Sequence, residues 1–158
     1  MASSALNITV AAAAKLALTT APSASTVSAV VFPAQFGVAI QDASGNTRSG
    51  DSLLITVALT TGIGALSGTT VATASSGVAS FAGLSINLVG NDKVLTFTSG
   101  ALTSVASSAL NITVAAAAKL ALTTAPSAST VSAVVFPAQF VVAIQDSSGN
   151  TRAGDSLL

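Results

Sequence analysis

Ala34-Gln35-Phe36-Gly37-Val38-Ala39-Ile40-Gln41 alternates apolar residues with small or polar ones, and Asp42-Ala43-Ser44-Gly45-Asn46 follows it directly. Period two marks a strand with one buried face, so Phe36, Val38 and Ile40 are expected inward and Gln35, Gly37, Ala39 and Gln41 outward. The next five residues read as a turn, because Asp and Asn cap or tolerate tight backbone geometry and glycine supplies positive φ. The whole segment returns at residues 138–150, changed only at Gly37/Val141 and Ala43/Ser147. A Gly-to-Val exchange is easy on an outward face and hard in a packed one, which supports this register.

The recurrence extends well beyond that segment. Residues 2–54 reappear as 106–158, an offset of 106 − 2 = 104; of 53 aligned positions three differ, the third being Ser49/Ala153, so 53 − 3 = 50 are identical. A period of 104 residues is a domain repeat, since solenoid and propeller units run to roughly 20–50 residues. The expected division is residues 1–14 as the last strand of a preceding unit (5–10) plus a joint, 15–114 as one complete domain, and 115–158 as a joint plus the opening strands of an incomplete unit. On this frame Leu158 interrupts a strand.

Turn clusters fall about every ten residues along the rest of the chain. Leu16 and Leu18 are expected in the core, as are Leu53, Ile55, Val57 and Leu59. Strands are predicted over 69–74, 78–81, 84–88, 94–98 (Leu95 and Phe97 inward) and 109–114 (Leu110, Ile112 and Val114 inward). Ser75-Ser76-Gly77 and Gly90-Asn91-Asp92 read as turns. Residues 11–14, all alanine, are too few to nucleate a helix and read as strand running through a joint. The fold class is all-β, a β-sandwich of about seven to eight strands.

Composition removes several classes of function. Charged residues make up 6% of the chain, against about 25% in an average soluble protein, so Ser, Thr, Asn and Gln must carry solubility. Five Lys plus Arg balance five Asp, which gives no steering toward nucleic acid or anionic lipid. The mean hydropathy of +0.80 comes from Ala and Val in strands, because no stretch of 18 apolar residues exists to insert in a membrane. The apolar opening lacks a basic n-region, and residues 2–14 recur as 106–118, so it is repeat sequence; any export signal is expected outside this stretch.

Catalysis has little to work with. His, Cys, Glu and Tyr are all absent, which removes the usual bases and nucleophile–base pairs, so no enzyme is expected and no catalytic, cofactor or metal residue is assigned. Asp42, Asn46 and Asp51, with their copies Asp146, Asn150 and Asp155, are the nearest approach to a calcium loop, but Arg48 lies among them and the alternating acids of a dedicated loop are missing. A Lys15–Asn111 isopeptide crosslink would need both side chains beside a buried acid, whereas the alternation turns both to solvent. Asn7-Ile8-Thr9 and Asn111-Ile112-Thr113 match the glycosylation sequon, and the many hydroxyls offer sites for O-linked sugar.

The repeat has a broken frame. Two nearly identical fronts, 2–54 and 106–158, share one back, 55–105. The back is expected to pair with either front at similar energy, leaving the other exposed through Phe32, Phe36, Val38 and Ile40 or through Phe136, Phe140, Val142 and Ile144. Such an edge invites strands from another copy. The expected partners are therefore copies of the chain or neighbouring repeats.

Lys119-Leu120-Ala121-Leu122-Thr123-Thr124-Ala125-Pro126, Val141-Val142-Ala143-Ile144-Gln145-Asp146-Ser147-Ser148-Gly149-Asn150, Gly77-Val78-Ala79-Ser80-Phe81-Ala82-Gly83-Leu84-Ser85-Ile86 and Ala106-Ser107-Ser108-Ala109-Leu110-Asn111-Ile112-Thr113 resemble the bacterial Ig-like tandem repeats of very large surface proteins. Such domains occur in adhesin stalks, surface-layer-associated proteins and extracellular filaments. The resemblance implies an Ig-like β-sandwich, export to the cell surface and a spacer or fibre role; Val94 departs from it, standing where such repeats often carry Tyr. The expected function is thus a structural repeat unit of an extracellular fibre, stalk or surface coat. The alternative is an adhesin module that binds carbohydrate or protein, although the loops at 42–51 and 61–68 lack the Trp, Tyr and clustered charge that anchor such sites.

Overall fold

A computed structural model describes residues 5–155, all-β and without a helix among them. Residues 1–4 and 156–158, with the strand break expected at Leu158, lie outside the described residues. The first eleven strands are β1 Lys15–Thr20, β2 Ser25–Val27, β3 Gly37–Gln41, β4 Leu54–Thr61, β5 Leu66–Ser67, β6 Val71–Thr73, β7 Val78–Ser80, β8 Ser85–Ile86, β9 Gly90–Thr98, β10 Val105–Ala106 and β11 Leu110–Thr113. This exceeds the expected seven to eight because short ladders such as β2, β5 and β10 are set by pairing and carry no alternation of their own.

One sheet has the order β1-β3-β7; another has β2-β11-β9-β4-β6, with β10 also on β9. Leu16, Val38 and Ile40 from the first meet Ile55, Val57, Leu95, Phe97, Leu110 and Ile112 from the second in a single apolar cluster, an arrangement compatible with a β-sandwich. Four aromatic rings run through it. Phe36 lies 6.3 Å from Phe32 and 5.0 Å from Phe97, and Phe97 lies 5.2 Å from Phe81, within the range of tilted and edge-to-face contact.

Several expectations need correction. Gly37 and Ala39 do face away from the cluster, yet both are buried, because β3 is the central strand and is flanked by β1 and β7. A Cβ on Gly37 would come within 2.5 Å of the Thr19 hydroxyl. In the second copy Val141 fills that space and the Thr123 hydroxyl instead donates to the Val141 carbonyl at 3.1 Å, so a threonine rotation accommodates the exchange. Leu53 is 41% exposed, since β4 begins one residue later. Gly90-Asn91-Asp92 is no turn but the start of β9, where the register against β11 shifts and Asp92 takes φ 60°. Residues 11–14 lack strand pairing, although the Ala14 backbone bonds Gln41 and Thr103.

Beyond β11, the second front forms a hairpin, β12 Lys119–Thr124 with β13 Val141–Gln145, whose register copies that of β1 and β3 bulge for bulge. Its inner face is bare. Phe136 and Phe140 are 40% and 58% exposed where Phe32 and Phe36 are 2% and 1%. Val142 is exposed too, and Ile144 is half-buried.

The back pairs with the front that precedes it, through β3–β7 and the Lys15–Thr103 bridge, while β11, the opening strand of the second front, pairs with β2 of the first. Geometry removes the expected near-equality of the two choices. Ile112 lies level with Gly90 at one end of β9, whereas Lys15 bridges Thr103 beyond the Val105–Phe97 pair at the other. That is about nine residues of strand, roughly 30 Å, before any crossing between sheets. The five-residue linker 114–118 reaches at most about 20 Å, so within one chain β12 cannot return to take the place of β1.

Candidate functional site

The turn after β13 is built by one carboxylate. Asp146 Oδ1 accepts the backbone N–H groups of Ser148 and Asn150, both at 2.9 Å, and Oδ2 accepts the Asn150 side-chain amide at 2.8 Å. Short polar side chains close such loops on their own backbone, and Gly149 supplies φ 91°. The turn also grips the linker. Ala115 N–H donates to Asp146 Oδ2 at 3.2 Å, and the Arg152 guanidinium, paired with Asp155, donates to the Ala115 carbonyl.

From this turn the Asn150 amide reaches into the body formed by β1–β11. Its Nδ2 donates to Ser28 Oγ and to the Asn87 carbonyl, both at 2.9 Å, and its Oδ1 accepts the Val89 N–H at 3.1 Å. Ser28 Oγ in turn donates to the Asn87 carbonyl at 2.6 Å. Ser28, Asp146 and Asn150 are all buried, so these polar groups leave water only because each has partners. The socket rests on β2, the loop between β8 and β9, and a strained residue: Ala29 holds φ 58° while its N–H bonds the Ile86 carbonyl. Its copy Ala133 holds φ 65°.

The first copy of the turn has the same interior. Asn46 N–H and Nδ2 donate to Asp42 at 2.8 and 2.9 Å, Ala11 N–H donates to Asp42 at 3.3 Å, and Arg48 reaches the Ala11 carbonyl. Asn46 nevertheless stays exposed, and among the described residues it bonds nothing outside its own turn.

Burial opposes ionisation of Asp146, but the N–H donors of Asn150 and Ala115 and the Ser28 hydroxyl outweigh it and hold the carboxyl at about 2. A depressed carboxylate contributes stability above its unfolded value, 3.8, and loses it as pH falls through the folded value. The joint is therefore expected to be intact above about pH 4 and to release as pH approaches 2. An NMR titration of the Asp146 carboxyl carbon checks this; Asn150→Ala should move its midpoint up toward the ordinary range.

The other sequence candidates separate. Asp42 and Asn46 bond each other while Asp51 pairs with Arg48 at 2.7 Å, so the three do not converge, and among the described residues no group of three potential metal ligands lies together. Lys15 reaches toward the Ala43 carbonyl, and Asn111 sits on β11 in the other sheet. Asn7 is exposed in unpaired chain, and Asn111 is half-buried beside β2. Two further buried groups, Ser28 and Lys93, are hard to see in the sequence. Ser28 carried no signal, being one serine among many. Lys93 is buried, packs its stem against Gly62 and donates to the Ile63 carbonyl, and burial lowers its pKa; only its place in the alternation with Leu95 and Phe97 could have shown this. Comparison with protein families and with curated proteins finds no match for the chain.

Proposed function

We propose that the chain is one and a half units of a structural repeat, an Ig-like β-sandwich that builds an extracellular fibre, stalk or surface coat. The observation that carries this reading is the seating of Asn150. A spacer needs its modules held at a set angle, and a buried amide satisfied on both its oxygen and its nitrogen holds an angle where a bare linker would not. Support for the Ig-like arrangement comes from the first edge, which is split between sheets: β1 pairs β3, while β2 runs parallel to β11. The open hairpin β12–β13 then awaits the back strands of the next repeat, or those of another copy through strand complementation. Export follows from the fibre reading.

Electron microscopy of a chain carrying several 104-residue units tests this. Straight rods with one regular axial spacing are expected; collapsed particles, or beads at random angles, would refute it.

A further inference from the structure

We propose that the exposed Asp42–Asn46 turn is a docking plug whose receptor is the socket of Ser28, the Asn87 carbonyl and the Val89 N–H on a preceding copy of the unit; this rests on the end-to-end reading above. Three observations identify that occupant. The sister turn, identical except for Ala43/Ser147, already sits in such a socket within the same chain. Its internal bonds match to within 0.1 Å, with Asn46 N to Asp42 Oδ1 at 2.8 Å against 2.9 Å and Nδ2 to Oδ2 at 2.9 Å against 2.8 Å, so the plug is formed before it docks. Finally, the incoming chain is already aimed. Asp42 and Arg48 hold both backbone groups of Ala11, as Asp146 and Arg152 hold those of Ala115, which is where β11 of a docked unit arrives.

The recognition chemistry is specific. One amide N–H of the asparagine stays on its own aspartate; the socket offers a hydroxyl and a carbonyl around the other and one N–H for the amide oxygen, so aspartate, which lacks donors, and leucine, which lacks both, do not fit. The plug also gives the assembly a direction, because each unit presents the turn at one end and the socket at the other. This chain's own socket is filled by Asn150, and only its plug is free to receive a partner.

The test lengthens the full 158-residue chain at its N-terminus by one further copy of residues 2–105 and follows the side-chain amide protons of Asn46 and Asn150 by NMR hydrogen exchange. In the original chain Asn150 should exchange at least about tenfold more slowly than Asn46, and in the lengthened chain Asn46 should slow to match it. Ser28→Ala in the added copy should reverse the change at Asn46 while Asn150 stays slow. If Asn46 remains fast in the lengthened chain while Asn150 is slow, the plug assignment is wrong. Should Asn150 itself exchange freely in both chains, the end-to-end reading fails, and the plug with it.

Discussion

Phe36→Ala is expected to lower the stability of the folded chain by about 3–5 kcal/mol, and Phe140→Ala by less than about 0.5 kcal/mol. The two phenylalanines sit at equivalent positions of nearly identical segments, so local propensity cancels between them. What differs is company. Phe36 is 1% exposed and touches the rings of Phe32 and Phe97, while Phe140 is 58% exposed and pairs its ring with that of Phe136, itself 40% exposed. Truncating Phe36 opens a cavity at the centre of the four-ring array; truncating Phe140 removes surface already in water. With no Trp or Tyr in the chain, urea unfolding is best followed by far-ultraviolet circular dichroism. Equal losses at the two sites would mean that the back strands are shared between the fronts, against the linker argument.

Gly77→Ala is the second large effect, expected at about 3 kcal/mol or more, whereas Gly100→Ala should cost about 1 kcal/mol. Both glycines have positive φ, 77° and 51°, so both alanines bear the left-handed penalty. Only Gly77 has a neighbour in the way. A Cβ there would lie 2.3 Å from the Arg48 carbonyl oxygen and 2.7 Å from its carbon, while nothing lies within 4 Å at Gly100. Ser76 and Gly77, both with positive φ between the bridged Ser75 and Val78, form the two-residue hairpin that leads into β7. The same backbone bonds the Asp51 carbonyl through Gly77 N–H and receives the Ile40 N–H, so displacing it disturbs β3 as well. Chemical denaturation of the two variants separates the steric part from the conformational part; equal costs would show that the loop at Arg48 yields freely.

Much of the fold could be read before any coordinates. β3, β4, β9 and β11 show their inward sides by alternation, because each has one face on the apolar cluster, and the Ser75-Ser76-Gly77 turn was legible from composition. Errors gathered where pairing decides. β2 has no pattern of its own and exists because β11 lies beside it. Gly90-Asn91-Asp92 has turn composition because a bulge draws on the same positive-φ residues as a turn. Gly37 and Ala39 alternate as expected, but exposure depends on how many strands flank them, which period two cannot report. The joint was the least legible feature. Asn46 and Asn150 have the same local sequence, yet one is exposed and the other buried; the difference lies in what stands across from each.

The pairing of β2 with β11 sets a timetable for synthesis. Ser25 and Asn111 are register partners, so a unit cannot seal its edge until its final strand has left the ribosome, with its early strands waiting all the while. Among near-clones that wait is dangerous, since an unsealed edge will accept any sister strand in reach. A tether too short to double back gives the nascent chain one legal partner within itself, so the length of 114–118 alone keeps β12 from the place that β1 holds.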